Sequence, residues 1–276
     1  ETVVAWDSTT GKPLYPAIVW EDTRTAEVCK KFSDDVRASA SRRTGLPIDP
    51  YFSATKIHWL LRQPPVAKAL DNGTLLVGTI DSWALWNLSS PHMHATDYTN
   101  ASRTLLFNAK TLRWDEELMK LFSIPASILP VVKPSTADFG ILDKNILGAA
   151  IPIRALCGDQ QASQYAAGVV VGATKVTFGT GIFISQCIGS EFQIKPPFFT
   201  TLIPNVQQPW YALEAKINES GARVQELLNK NADLAPLLRE FSAEVNHYVE
   251  QLPIKPTELV IDGGITQAPQ LADILA

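Results

Sequence analysis

The sequence predicts an α/β fold, on three observations. Apolar runs of strand length alternate with longer segments of helical periodicity. The composition shifts near Gly168, where a β-rich stretch begins. Several strand-like runs end in glycine turns: Phe178-Gly179-Thr180-Gly181 and Asp262-Gly263-Gly264.

Taken in order, Thr2–Trp6 and Pro16–Trp20 are β-rich runs around a Gly/Pro turn and read as a hairpin. Thr23 to Arg43 is charged and helix-forming, enough for two short helices, and Ser53 to Gln63 carries Ile57, Leu60 and Leu61 at helical spacing. Thr74–Ile80 is a strand, with Asp81 placed to cap the following helix. Pro125 to Ala137 reads as a long loop, Ile151–Cys157 as a buried strand and Gln160 to Ala167 as a helix. Val169–Phe178, Ile182–Cys187 and Glu258–Ile261 follow as strands, and Ser220–Asn229 and Ala235–Gln251 as helices. The boundary between two domains falls between residues 167 and 168.

The 276 residues are 46% hydrophobic and 19% charged, which fits a folded chain of one large or two ordinary domains. A net charge of −4 leaves no basic footprint for nucleic acid. Cys29, Cys157 and Cys187 form neither a metal-ligand spacing nor a disulfide framework, which points to a reducing compartment and a cytoplasmic location. No apolar stretch is long enough to cross a bilayer, and no signal peptide is visible. His58, His92, His94 and His247 show no ligand spacing and read as surface residues.

The chemistry concentrates between Ile151 and Phe183. Gly158-Asp159-Gln160-Gln161 sets a carboxylate where a strand meets a helix, and Gly179-Thr180-Gly181 is a turn whose backbone N–H groups can approach an anion. A positioned carboxylate and a phosphate-compatible turn are the minimum for moving a phosphoryl group onto a hydroxyl. Read alone, Asp159 is better taken as a helix N-cap and the glycine turn as an ordinary one.

Several segments together resemble one family. Ala17-Ile18-Val19-Trp20, Asp49-Pro50-Tyr51-Phe52-Ser53-Ala54-Thr55-Lys56, Gly78-Thr79-Ile80-Asp81-Ser82-Trp83 and Thr96-Asp97-Tyr98-Thr99-Asn100-Ala101-Ser102-Arg103-Thr104 are similar to segments of the FGGY sugar and polyol kinases, in their glycerol-phosphorylating branch. So are Gly158-Asp159-Gln160-Gln161, Phe178-Gly179-Thr180-Gly181 and Tyr211-Ala212-Leu213-Glu214, in the same order and at similar spacing. The resemblance implies two ribonuclease-H-like (actin-like ATPase) domains with a cleft between them. Residues 1–167 would be the remainder of a polyol-binding domain and 168–276 part of a nucleotide-binding one. It implies ATP and Mg2+ as cofactors and glycerol as substrate, and it allows a homo-oligomer. Matched by position, Glu1, Trp20, Tyr51, Asp159 and Phe183 fall on the glycerol pocket, with Asp159 as general base. Thr180, Gly181, Gly221, Gln225 and Gly264 fall on the nucleotide side, and no residue is matched to a metal.

The family's N-terminal phosphate hairpin, the arginine before Glu1 and a long segment between Gln225 and Asp262 have no counterpart here, so the resemblance reads the chain as partial. Ala215 to Ser220 is charged where relatives are small and apolar, and Ala268 replaces an expected asparagine. These departures leave a catalytically inactive paralogue as the alternative. A pentose or hexose kinase is a further one, against which the Trp20 and Tyr51 contexts argue.

Overall fold

The computed structural model describes residues 1–179, 181–204, 208–217, 220–230, 233–256 and 258–264, without the side chains of 220–222, 225 and 228. The chain divides into two compact units, residues 1–161 with 204–209, and residues 162–203 with 210–276.

The first unit is built on β1 (Val3–Asp7), antiparallel to β2 (Leu75–Thr79) in the register Val3↔Thr79 to Asp7↔Leu75. The expected return of the chain after β1 is present, with Val3 N–H on Ile18 O at 2.9 Å and Ile18 N–H on Val3 O at 3.0 Å. It forms bridges rather than a regular strand, because Pro13 and Pro16 cannot donate to a ladder. The predicted pair of short helices is α1 (Ala26–Lys30) and α2 (Asp34–Thr44), the latter closed by Gly45 at φ 80°. Next come α3 (Ser53–Leu60), α4 (Pro64–Asp71) and α5 (Ile80–Leu88); all three pack on β1. Trp6, Val77 and Ala54 are fully buried there.

Asp81 does not cap α5. Strand runs into helix without a loop, so Thr79 takes the cap position and Asp81 falls in the first turn, where its carboxylate accepts from the Thr79 and Thr96 hydroxyls at 2.5 and 2.7 Å. The chain continues through β3 (Ala95–Asp97), α6 (Tyr98–Ala101), β4 (Phe107–Asn108), β5 (Arg113–Trp114) and α7 (Glu116–Leu121). Pro125 to Ala137 is more than a loop, since it contains β6 (Val131–Lys133), parallel to β3. The short α8 (Lys144–Leu147) follows.

Ile151–Cys157 is not a buried strand. Ile151 is 45% exposed, and the segment pairs only irregularly with residues 135–142, through bridges at Pro152 and Ala155. Pro152 lacks the donor a ladder needs. Ile153 and Leu156 alone turn inward, onto the cluster of Leu85, Ala95 and Phe139. Helix α9 (Asp159–Ala167) then begins one residue earlier than predicted.

The second unit holds one five-stranded sheet, in the order β11 (Leu259–Asp262), β7 (Thr174–Phe178), β8 (Ile182–Gly189), β10 (Trp210–Ile217), β9 (Phe199–Ile203). Neighbours are antiparallel except β11 and β7. The predicted strand at Val169 starts only at Thr174, because Gly172 at φ 90° ends a turn that leaves Val170 and Val171 exposed. β8 is buried along its length, and α11 (Ala235–Gln251) packs on it, burying Leu237, Leu238, Phe241 and Val245. Each such side chain contributes about 1.5–3 kcal/mol. Helix α10 (Ser220–Asn229) follows β10 directly in sequence.

Candidate active site

In the first unit, Glu1, Thr2, Trp20, Ile80, Asp81, Arg103 and the stretch 157–161 line a cavity of about 390 Å³. Three of the predicted polyol residues, Glu1, Trp20 and Asp159, are therefore walls of one cavity. Tyr51 stands behind them, its ring edge-on to Trp20 with centroids 5.6 Å apart. The fifth, Phe183, belongs to the second unit, where it is buried on β8 opposite Thr177 and Lys216.

Each wall residue is held by a buried polar group. Lys56, fully buried in α3, donates from Nζ to Val19 O at 2.8 Å, Trp20 O at 3.2 Å and Tyr51 O at 3.4 Å. One ammonium thus gathers the backbones of both aromatic residues, which explains the lysine of the resembling segment as a structural clamp. Asp97, also fully buried, accepts from the backbone N–H groups of Thr99 and Asn100, both at 3.0 Å, and from the Ser135 hydroxyl at 2.5 Å. The Thr99 hydroxyl donates to Asp97 at 2.8 Å and accepts from Gly158 N–H at 2.8 Å, so the chain beside Asp159 hangs from the same hub. Asp159 itself opens α9, with Oδ1 accepting from Gln160 N–H at 2.8 Å.

Arg103 was not singled out by its sequence. It is 3% exposed, and its Nε donates to Glu1 Oε1 at 2.5 Å. No local spacing signals this pairing, because the partners are 102 positions apart. Around the cavity, burial pushes Asp81 above the ordinary carboxylate range, against the Thr79 and Thr96 hydroxyls, and the Asp97 charge adds to the rise. His94 is no surface residue: it packs edge-on against Trp6 at 5.2 Å with Nε2 3.1 Å from Val77 O. Burial there lowers it to about 4.

The second unit gathers its predicted residues by topology. β7, β10 and β11 end, and β8 begins, at one edge of the sheet. Gly181 lies in the β7–β8 turn, with Gly179 N–H on Gly181 O at 3.0 Å. Gly263 follows Asp262, the register partner of Thr177, at φ 101°; a Cβ there would stand 2.3 Å from Phe178 O. Gly264 comes next, and a Cβ on it would meet nothing within 4 Å. Gly221 and Gln225 lie on α10, which begins three residues after Ile217, the partner of Ile182. Thr180 and Ala268 lie outside the described residues.

Behind this edge, the fully buried Lys175 donates to Ser163 Oγ at 3.0 Å and Thr177 Oγ1 at 2.8 Å, and Ser163 donates to Asp262 Oδ2 at 2.5 Å. Burial raises Asp262, but the Ser163 and Thr177 hydroxyls and the Lys175 charge hold it below its usual range. The arrangement locks the ends of β7 and β11 together and leaves backbone, without side chains, at the glycine turns. Such turns suit an oligophosphate. Among the described residues, no group of three or more His, Cys, Asp or Glu side chains is placed to hold a metal ion. No described helix is long and apolar enough to cross a membrane.

Residues 1–166 match the FGGY family of carbohydrate kinases, N-terminal domain. The chain is 45% identical over 243 residues to a glycerol kinase of Synechocystis sp., covering 83% of this chain and 48% of that protein. To a glycerol kinase of Alcanivorax borkumensis it is 47% identical over 231 residues, covering 82% and 46%. The structure superposes on Plasmodium falciparum glycerol kinase with ADP at a TM-score of 0.86 and 29% identity, covering all of this chain and 68% of that one. The chain spans about half the length of the curated relatives it matches.

Proposed function

Because the chain belongs to the FGGY family of carbohydrate kinases, with its two actin-like α/β domains, we propose that the protein transfers the γ-phosphoryl group of ATP to a terminal hydroxyl of glycerol. The observation that carries this reading is the cavity that unites Glu1, Trp20 and Asp159. A triol offers only hydroxyl donors and a short carbon chain, so its recognition needs carboxylates to accept and an aromatic face to cover. The first unit supplies both.

Asp159 takes the proton of the attacking hydroxyl as the new phosphorus–oxygen bond forms and the bond to the leaving ADP breaks. Phosphoryl transfer has a loose transition state, so this carboxylate mainly orients the hydroxyl and accepts its proton. Glu1 accepts from the other hydroxyls, and Trp20 covers the carbons with Tyr51 against it. Thr180, Gly181, Gly221, Gln225 and Gly264 serve the nucleotide, chiefly through backbone. Mg2+, when bound, would neutralise phosphate charge. In this reading residues 1–167 belong to the polyol-binding domain and 168–276 to the nucleotide-binding domain. The protein works in the cytoplasm.

Calorimetric titration of the full-length protein with glycerol and Mg-ATP, followed by a coupled ADP-release assay, tests this. The expected result is binding of both with glycerol-dependent release of ADP. Glycerol binding without turnover would replace the kinase by a silent polyol binder.

A further inference from the structure

Arg103 is the one cationic side chain on the wall of the polyol cavity, and its role is legible from its contacts. Besides Glu1, it donates from Nη2 to the Tyr51 hydroxyl oxygen at 3.2 Å. Its guanidinium carbon stands 5.4 Å from the centroids of both the Tyr51 and the Phe52 rings. The Tyr51 hydroxyl hydrogen-bonds onward to Glu1, which closes a triangle. The Tyr51 ring also meets Trp20 edge-on. A planar fork can hold a carboxylate oxygen and a phenol oxygen in fixed relation, which a single ammonium cannot.

The backbone delivers this side chain with equal care. Arg103 follows α6, which Asp97 caps, and Thr104 O accepts from Ala54 N–H at 2.9 Å. Two residues on, buried Leu105 adopts φ 61°, a left-handed conformation that costs a non-glycine residue about 1–2 kcal/mol. Strain of this kind persists where surrounding contacts over-determine it.

We propose that Arg103 is the positioning residue of the polyol pocket, fixing the Glu1 carboxylate and the Tyr51 ring in one relation to each other. With its guanidinium engaged by Glu1, the remaining charged groups of the wall are the carboxyls Asp81 and Asp159. This assignment rests on the functional reading above.

The test is steady-state kinetics of the full-length protein as wild type, Arg103→Lys, Glu1→Gln and the double variant, with melting temperatures recorded for each. Arg103→Lys is expected to raise the glycerol KM about tenfold and leave the ATP KM within about twofold. If Arg103 acts through Glu1, adding Arg103→Lys to Glu1→Gln moves the glycerol KM by less than about twofold. Should Arg103→Lys fail to fold, Arg103→Gln, which keeps a planar donor, carries the same comparison. An unchanged glycerol KM, an equal rise in the ATP KM, or effects that simply multiply in the double variant would overturn the assignment alone. Wild-type protein without glycerol-dependent ADP release would overturn the functional reading, and this assignment with it.

Discussion

In the function proposed, the cavity of the first unit and the glycine edge of the second would recognise their ligands in opposite ways. The cavity is made of side chains whose identity matters: Glu1, Trp20 and Arg103, held by buried polar or aromatic partners, and Asp159, which opens α9. The edge is made of backbone, and close approach leaves no room for a side chain at Gly263 and little at Gly181. The difference follows from the ligands proposed. A small neutral triol carries its identity in three hydroxyls, so chemically specific acceptors must meet them. An oligophosphate is large and charged, and oriented N–H groups suffice.

The sharpest way to break this contrast is Asp159→Asn, which keeps the shape of the cavity and removes its base. Turnover should fall by about 10³-fold while calorimetric glycerol affinity changes little. Undiminished turnover would remove Asp159 as base. On the backbone side, Gly263→Ala would place a Cβ 2.3 Å from Phe178 O at a φ of 101°. A loss of about 3 kcal/mol in urea denaturation is expected. Gly264→Ala, with open space around it, should stay within about 0.5 kcal/mol of wild type. Equal costs at the two positions would refute the view that the edge is built by close backbone approach.

The first unit's reliance on side-chain chemistry also makes its stability titrate. His94 falls from 6.5 to about 4 on folding, so between those values the unfolded chain binds a proton that the folded chain refuses. Stability should therefore drop as pH falls through that window, by up to about 3 kcal/mol, and hold steady above it. His94→Gln should flatten the slope in a pH series of melting temperatures; an unaltered slope would assign it to the carboxylates. Trp20→Ala is expected to lose about 2 kcal/mol of glycerol affinity with ATP affinity unchanged. Weakened ATP binding would show that the two sites do not divide the work as described.

Much of this was legible in the sequence, and the exceptions share a cause. α10 and α11 begin and end where their periodicity says, because an amphipathic face is a local property. Asp159 and the glycine turns could be found because a carboxylate opening a helix and glycines after an apolar run are local too. Arg103 could not, since what distinguishes it is a partner 102 residues away. Lys56 was visible only as part of a resembling segment; that it clamps three carbonyls is a fact of tertiary structure. β9 and β10 went unpredicted because their pairing with each other and with β8, not their periodicity, makes them strands. Ile151–Cys157 misled for the converse reason, an apolar run whose partner segment never forms a regular ladder.

Gly263 finally carries a warning for anyone who would read this protein by selection. It offers a ligand no functional group, yet geometry admits one residue of the twenty. A library randomised across the glycine turns and sorted for nucleotide binding would return glycine at 263 almost without exception. The same library sorted only for soluble expression would do so too. Invariance at that position is thus a record of folding, and only positions such as Gly264, where the backbone leaves latitude, can report what a ligand demands.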